Sequence, residues 1–300
     1  AVEAVARASD ADVACDADVA CDADDASVAV GAERVVFDPG SLTGGDATVD
    51  IGTAGSVPLV LDAVLPLALA LDAPYRLTVT GGTDVRWSPT LDYLRHVKLP
   101  LLRAHGLDAT VSLSRRGFYP AGGGEATLTV RPSTVDALSL RERGPLASCT
   151  VYSAASDGLR GADVAERQAD AAADALRERV AAPVTTEPAY AEPDSPGSVV
   201  TLAADYEAGR GGFCALGARG VPAETVGREV VDAFDAFDAG AASVDEHLGD
   251  QLLPYVALAG GAYTTPTLTD HLATHADLLD AFGFDITVAE TDEGVLVDAA

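Results

Sequence analysis

Three consecutive glycines at positions 122–124 constrain this chain more than any other local feature. A helix does not persist through such a run, and glycine lets the backbone adopt positive φ angles and pass close to a ligand. The run lies between two segments rich in β-forming residues, 110–113 and 126–130. Arg115 and Arg116 precede it. The sequence therefore predicts two strands joined by a glycine-rich loop next to fixed positive charge.

Segments with strand character alternate with helical segments over the first 130 residues. The predicted strands are 34–37, 47–51, 75–80, 110–113 and 126–130. The predicted helices are 1–9, 57–71 and 91–105. Pro66 should kink or end the second of these helices, and Pro100 is a candidate kink in the third. Gly106 suits the C-terminal cap of the third. This alternation predicts α/β layers.

A second module with the same alternation begins near Pro145. It contains a strand at 149–153, a long helix at 162–180, strands near 198–203 and 212–216, and a helix at 223–236. The segment 187–197 holds three prolines and is interpreted as a loop. A helix at 244–258, a further helix around His271 and two final strands complete the chain.

The charge balance is extreme. The formal net charge is −28, with 47 acidic residues against 19 basic ones, and Lys98 is the one lysine. Proteins that contact nucleic acid usually present a basic face. Adaptation to molar salt explains the composition better, because the Debye length falls to about 3 Å at about 1 M salt and charge repulsion is screened. The alternative is an acidic protein with a cationic partner.

The four cysteines form neither a disulfide framework nor a Cys-x-x-Cys motif, so zinc is not expected. Cys15 and Cys21 lie in a duplicated hexapeptide within 10–25. A calcium loop would need a glycine at its turn and a terminal glutamate, which this segment lacks. A solvated surface insertion is the favoured interpretation. The most apolar run, 57–71, is too short to span a bilayer, so no membrane partner and, by default, a cytoplasmic location are expected.

A set of short motifs in a fixed order resembles the RNA 3′-terminal phosphate cyclases. No single motif is specific, but their joint order and spacing are. The motifs are Asp50-Ile51-Gly52-Thr53-Ala54-Gly55-Ser56, Gly81-Gly82-Thr83-Asp84, Ser88-Pro89, Asp92-Tyr93, Arg116-Gly117-Phe118-Tyr119-Pro120, Gly122-Gly123-Gly124, Leu216-Gly217, Arg219-Gly220-Val221, Asp250-Gln251-Leu252, Ala257-Leu258-Ala259 and the segment around His271.

The resemblance implies a large α/β domain of repeated βαβαββ-like units, sheets with packed helices, and a smaller inserted α/β domain. The implied division places the first part of the large catalytic domain at 1–144, the inserted domain at 145–235 and the final part, with the nucleophile helix, at 236–300.

The resemblance also assigns residues. It implies that His271 is the nucleophile that becomes covalently adenylylated, and imidazole is nucleophilic near neutral pH. The alternative is a histidine at a helix start without chemistry. His275 lies four residues on, but Leu272 stands where a zincin has glutamate, so a metal pair is disfavoured and no protein metal site is assigned. The implied nucleotide-binding residues are His247, Leu248, Gly249, Asp250, Gln251, Pro89 and Asp62.

Two departures from the family pattern bear on activity. Family members begin with a glycine-rich segment followed by arginines, which does not precede Ala1, so an N-terminally incomplete chain that gains activity when extended is expected. Asp62 stands where the family has a nucleotide-contacting glutamine, and a carboxylate repels phosphate. His247 stands where a tyrosine often occurs and could still stack on adenine. Arg115 and Arg116 are assigned either to RNA phosphates or to the surface. His96 and His105 are interpreted as structural.

The implied reaction is ATP-dependent. RNA with a 3′-terminal phosphate is converted to a 2′,3′-cyclic phosphate through a histidine-linked AMP, with Mg²⁺ or Mn²⁺ offsetting phosphate charge. The alternative is a non-catalytic relative that binds RNA or protein in ribosome assembly; such relatives lack the histidine. The oligomeric state is open.

Overall fold

A computed structural model describes residues 1–9, 12–15, 35–38 and 40–299 of the chain. Within these residues the fold is mixed α/β, with three four-stranded sheets, a two-stranded sheet and helices packed on them, as predicted. The first elements are α1 (Val2–Ala6), β1 (Asp12–Cys15) and β2 (Val35–Asp38), and β1 pairs antiparallel with β2. β1 occupies part of the duplicated hexapeptide segment, which was predicted to be a solvated surface insertion; most of that segment lies outside the described residues.

The first large sheet is one βαβαββ unit. Its elements are β3 (Gly45–Asp50), α2 (Val57–Val64), β4 (Tyr75–Gly81), α3 (Leu91–Tyr93), α4 (Leu99–Ala104), β5 (Ala109–Arg115) and β6 (Gly124–Val130). β3 and β4 are parallel, and the strand order is β3-β4-β6-β5. Because β3 and β4 point the same way, the loops that follow them meet at one edge of the sheet.

Prolines divide the helices of this unit. Ser56 caps the N-terminus of α2, and its hydroxyl accepts from the Leu59 amide at 3.3 Å. As predicted, α2 ends at Pro66: its last residue is Val64, and a 3₁₀ turn follows at Leu65–Leu69. The single helix predicted at 91–105 is instead α3, a π-helical turn at Leu94–Lys98 and α4. Pro100 has no amide hydrogen to continue the α-helical ladder, and the wider turn stands just before it.

A second sheet and its helices follow the short strand β7 (Leu138–Leu140). These elements are β8 (Leu146–Ser156), α5 (Val164–Arg177), β9 (Val184–Ala191), β10 (Ser198–Tyr206), β11 (Arg210–Leu216) and α6 (Ala223–Asp238). The strand order is β11-β10-β8-β9. α5 and α6 bury apolar residues against this sheet, in a cluster that includes Val151, Leu202 and Phe234. The division of the chain at 144/145 and 235/236 remains a prediction.

The loop predicted at 187–197 is wrong in its first half, because β9 continues to Ala191. β9 is an edge strand that pairs with β8 alone. An edge strand needs ladder hydrogen bonds on one side only, so Pro188, with no amide hydrogen, is tolerated there. The prediction was wrong there because it took the proline content of the segment as evidence for a loop.

The remaining elements complete a second βαβαββ unit that starts with β7. They are α7 (Glu246–Gln251), α8 (Leu253–Ala259), β12 (Gly261–Thr265), α9 (Asp270–Ala281), β13 (Ile286–Thr291) and β14 (Gly294–Ala299). β12 is parallel to β7, and the order is β13-β14-β12-β7. The helix predicted at 244–258 is divided at Leu252, since Pro254 occupies the first turn of α8.

No helix among the described residues is long and apolar enough to cross a membrane.

Candidate active site

His271 lies in the first turn of α9. The hydroxyl of Thr269 accepts from the Leu272 amide at 3.1 Å and so fixes where the helix begins. Leu272 is fully buried, whereas His271 is exposed. The core therefore holds the helix through Leu272 and leaves the adjacent imidazole accessible. The free amides of a helix start also favour a negatively charged group nearby.

His275 lies one turn further along α9 and is half-buried. The described residues include no group of three or more His, Cys, Asp or Glu side chains that could hold a metal ion. Within that part of the chain, the two histidines of α9 have no third ligand with which to hold zinc.

A buried aspartate, Asp245, fixes the start of α7. Its carboxylate accepts from the amides of His247 and Leu248 at 2.9 and 3.1 Å and from the Gly212 amide at 2.8 Å. The Tyr93 hydroxyl donates to both carboxylate oxygens, at 2.8 and 2.9 Å. Burial raises the pKa of Asp245, and these donors and the His247 charge oppose the rise. The site residues on α7 are thereby held by a network that joins three parts of the chain.

The residues of α7 differ in what they offer a ligand. The His247 side chain is 63% exposed, and its ring meets the Tyr93 ring edge-on at 6.1 Å between centroids. Leu248 is fully buried, and a Cβ on Gly249 would lie 2.6 Å from the Thr265 hydroxyl. Of the run 247–249, only His247 presents a side chain; the other two offer backbone atoms.

Asp250 is the half-buried carboxylate of this region. Burial raises its pKa, and the charges of Lys98, His271 and His247 act in the opposite direction. α7, which carries His247 and Asp250, packs against α9, which carries His271.

Asp62 does not stand alone as a repelling charge. It forms an ion pair with Lys98, whose ammonium also donates to the Gln251 carbonyl at 3.1 Å and lies 5.5 Å from the Tyr255 ring centroid. Only 2% of the Lys98 side chain is exposed. The expected repulsion of phosphate by Asp62 is offset by this lysine, which also ties α2 to α7. Lys98 was noted in the sequence only as an isolated lysine.

Pro89 connects to the same region through Tyr93. Pro89 is half-buried and precedes Thr90, whose hydroxyl caps α3 by accepting from the Tyr93 amide at 3.1 Å. The Tyr93 ring in turn contacts the His247 ring. Pro89 in the first βαβαββ unit and His247 in the second are thus connected through Tyr93.

The two arginines before the glycine loop have separate roles. Arg116 is buried and bridges Asp84, at 2.9 Å, and Asp92. Both roles predicted for Arg116, contact with RNA phosphate and a surface position, are therefore wrong. The guanidinium is buried between two carboxylates, and releasing it would leave Asp84 without an ion-pair partner among the described residues. Arg115 is exposed and pairs with Asp194.

Arg115 also lines a cleft of about 550 Å³ at the carboxyl ends of β3 and β4. The lining includes Asp50, Thr53, Ser114, Gly123 and Glu125. None of the predicted nucleotide-binding residues lines this cleft. This cleft is therefore not formed by the residues predicted to bind the nucleotide.

Comparison with known proteins agrees with the motif pattern. The family model described as RNA 3′-terminal phosphate cyclase matches residues 1–288. The chain belongs to the RNA 3′-terminal phosphate cyclase family.

Named relatives come from distant organisms. The RNA 3′-terminal phosphate cyclase of Halobacterium salinarum is 52% identical over 271 residues, covering 90% of this chain and 78% of the relative. Those of Archaeoglobus fulgidus and Pseudomonas fluorescens are 39% and 40% identical over 264 and 258 residues. Each covers 84% of this chain, and the chain covers 75% and 73% of them respectively. The family nature of the chain is thus shown over almost its whole length.

Three residues of this cyclase-family chain that hold the site together were not predicted as site residues. They are Lys98, Tyr93 and Asp245. Tyr93 stood in a quoted motif, and Asp245 has the pattern of a helix cap before α7. For Lys98 the only signal was its rarity.

Proposed function

We propose that this protein is an ATP-dependent RNA 3′-terminal phosphate cyclase, a ligase that uses His271 as its nucleophile. The observation that carries the proposal is the exposed imidazole in the first turn of α9, a helix that packs against α7, the helix of Asp250. Family membership supports the choice of RNA as the substrate. A reaction on RNA and ATP needs both in one compartment, and we propose the cytoplasm.

In the proposed reaction, an imidazole nitrogen of His271 attacks the α-phosphorus of ATP. A P–N bond forms, the bond from the α-phosphorus to the bridging oxygen breaks, and diphosphate leaves. An oxygen of the RNA 3′-phosphate then displaces His271 from the AMP phosphorus. Finally the neighbouring 2′-hydroxyl attacks the terminal RNA phosphorus, loses its proton and expels AMP. Covalent catalysis of this kind divides one difficult displacement into easier steps.

The predicted nucleotide-binding residues offer groups that suit an adenine nucleotide. His247 offers an exposed ring face and Pro89 a half-buried apolar surface, and both contact or adjoin Tyr93. The Asp250 carboxylate can accept from ribose hydroxyls, and the Gln251 amide can both donate and accept. Asp250 is half-buried, and a hydrogen bond in such a site is stronger than one in bulk water. A ribose hydroxyl bound there would therefore be distinguished more strongly from a group that cannot donate.

Mg²⁺ or Mn²⁺ is proposed as the metal. Mg²⁺ is commonly held by substrate phosphates with one or two carboxylates. We propose Asp250 for this role, because its helix packs against the helix of His271. The ion would neutralise charge on the phosphates.

Labelling with ATP that carries a radioactive α-phosphate tests the proposal. The wild-type protein should retain label after denaturation. His271→Ala should abolish this labelling, because the nucleophile is removed. His275→Ala, the matched control on the same helix, should retain most of it.

Equal labelling of the wild type and His271→Ala would disprove the mechanism. A wild-type protein that takes no label with either metal, yet binds RNA, would instead identify a non-catalytic binding module.

A further inference from the structure

The single tryptophan of the chain, Trp87, is 96% exposed. Tryptophan is on average a largely buried residue, so an indole with both faces in water is unusual. Its backbone has φ 60°, in the left-handed region that large side chains rarely adopt. Such strain persists when the surroundings impose it, and it concentrates at ligand-binding sites.

The residues around Trp87 hold the indole outward. Val85 is buried, and the Ser88 hydroxyl bonds the Ser56 hydroxyl at the start of α2. Thr90 is buried and bonds the Thr201 hydroxyl at 2.9 Å. With both flanks anchored to the core, the exposure of Trp87 is a property of the loop and not of a loose end.

The position of Trp87 relates it to the proposed nucleotide site. Trp87 lies two residues before Pro89, so their Cα atoms are at most about 7 Å apart. Arg86 beside it is exposed, and among the described residues no carboxylate lies within salt-bridge distance of its guanidinium. A cation next to an exposed aromatic ring is the combination that single-stranded nucleic acid binds, through phosphate and base respectively.

We infer that Trp87 stacks on an unpaired base near the 3′ end of the RNA, and that Arg86 contacts the adjoining phosphate. This inference rests on the proposed function, which brings the RNA 3′ end to His271. The indole is unsuited to hold the adenine of ATP, because at 96% exposure it has no wall opposite it, whereas the His247 ring contacts the buried Tyr93 ring. Stacking is tolerant of sequence, so Trp87 would serve varied RNA ends.

Because Trp87 is the only tryptophan, its fluorescence reports on this position alone. A 3′-phosphorylated oligoribonucleotide should change that fluorescence saturably without ATP. The titration is made in molar KCl, where phosphate contacts are screened and stacking is retained. The titration is repeated with oligonucleotides that each carry one abasic site near the 3′ end. Most of the fluorescence change should be lost when the abasic site occupies one particular position.

Variants then separate the possible roles of the ring. Measured by anisotropy of a labelled oligonucleotide, Trp87→Ala should raise Kd by about 5- to 100-fold. Trp87→Phe should retain most of the affinity. Phe282→Ala, which removes another exposed aromatic ring at the far end of α9, should bind as the wild type. An abasic site at that position should lower the affinity of the wild type for the oligonucleotide. It should lower the affinity of Trp87→Ala only slightly, because that variant already lacks the same contact.

Histidine labelling from ATP alone should be unchanged in Trp87→Ala, which separates this inference from the proposed function. Wild-type affinity in Trp87→Ala, or an equal loss in Trp87→Phe, would overturn the inference. A parallel fall in labelling from ATP would also overturn it, by assigning the indole to adenine. If Trp87→Ala does not fold, the wild-type titration decides: the absence of a fluorescence response to RNA would overturn the inference that Trp87 stacks on a base.

Discussion

Lys98 shows how one residue can connect a site to its scaffold. Its ammonium is buried between α2 and α7, where it pairs with Asp62 and the Gln251 carbonyl. The two partners differ in exposure, since 22% of the Asp62 side chain but only 2% of the Lys98 side chain is accessible. An unpaired carboxylate there could still be hydrated, but an unpaired ammonium could not.

We therefore expect the two partners to respond unequally to mutation. Asp62→Ala should lower the free energy of unfolding by about 3–5 kcal/mol, because it leaves a buried ammonium unpaired. Lys98→Met should cost less, about 1–2 kcal/mol, since water reaches Asp62. Urea unfolding at constant salt measures both. The double variant should lose less unfolding free energy than the two single variants lose together. Additive losses would show that Asp62 and Lys98 do not interact.

His96 provides a test of pH dependence. Its ring stacks on Tyr152 with centroids 3.8 Å apart. Burial lowers the pKa of His96 to about 4, and Asp92 opposes the shift. The ordinary value is 6.5, so between pH 6.5 and 4 the unfolded chain binds a proton that the folded one does not. The stabilising contribution of neutral His96 is thus complete above pH 6.5 and is lost on acidification.

His96→Phe keeps a stacking ring and removes the titration. As pH falls from 7 to 4.5, the wild type should lose about 1–2 kcal/mol more unfolding free energy than this variant, allowing for the quarter of the side chain that is exposed. Urea unfolding at several pH values gives the comparison. Parallel curves for the two proteins would contradict a depressed pKa for His96.

At the scale of elements, the two βαβαββ units place corresponding helix starts beside the proposed site. In the first unit, Thr90 caps the helix after β4; in the second, Thr269 caps the helix after β12. Pro89 precedes the first cap and His271 follows the second. Repetition of one unit thus puts Pro89 and His271, two predicted site residues, next to corresponding helix starts, even though β8–β11 and α5–α6 intervene in sequence.

The Thr269 cap should matter for both stability and chemistry. Thr269→Ala removes the acceptor for the Leu272 amide and should cost about 1 kcal/mol. It should also slow labelling of His271, because the first turn loses its fixed geometry. Thr274→Ala, an exposed change in the middle of the same helix, should be neutral or slightly stabilising. Thermal melts and labelling rates measure these effects, and identical behaviour of the two variants would exclude a role for the cap.

At the scale of the whole molecule, the net charge of −28 dominates. Many arginines form surface pairs, such as Arg167 with Glu224 and Arg131 with Asp108, but exposed pairs contribute only about 0–1 kcal/mol each. They do not cancel the excess of acidic groups. Folding therefore brings negative charges together against their mutual repulsion.

We expect cooperative folding to need salt. At about 0.1 M salt the Debye length is about 10 Å and repulsion acts between neighbouring surface groups, whereas at about 1 M it is about 3 Å. Thermal melts should show a Tm that rises from dilute to molar KCl. An equal or higher Tm in dilute salt would remove the interpretation of the composition as an adaptation to salt.

The sequence by itself determined the α/β class, most strands and helices, and the family. These follow from local periodicity, from prolines that end helices, as at Pro66, and from motifs whose order survives without their contacts. It also singled out His271, whose role as nucleophile remains a prediction.

Only the tertiary structure decided which charges are buried and with what partners. Arg116 looked suited to phosphate, yet it bridges carboxylates 24 and 32 residues away. Asp62 looked repulsive, yet a lysine 36 residues later neutralises it. Pro188 looked like a loop residue, yet it lies in an edge strand. In each case the deciding energy is desolvation or ladder pairing with a partner distant in sequence, which local pattern does not encode.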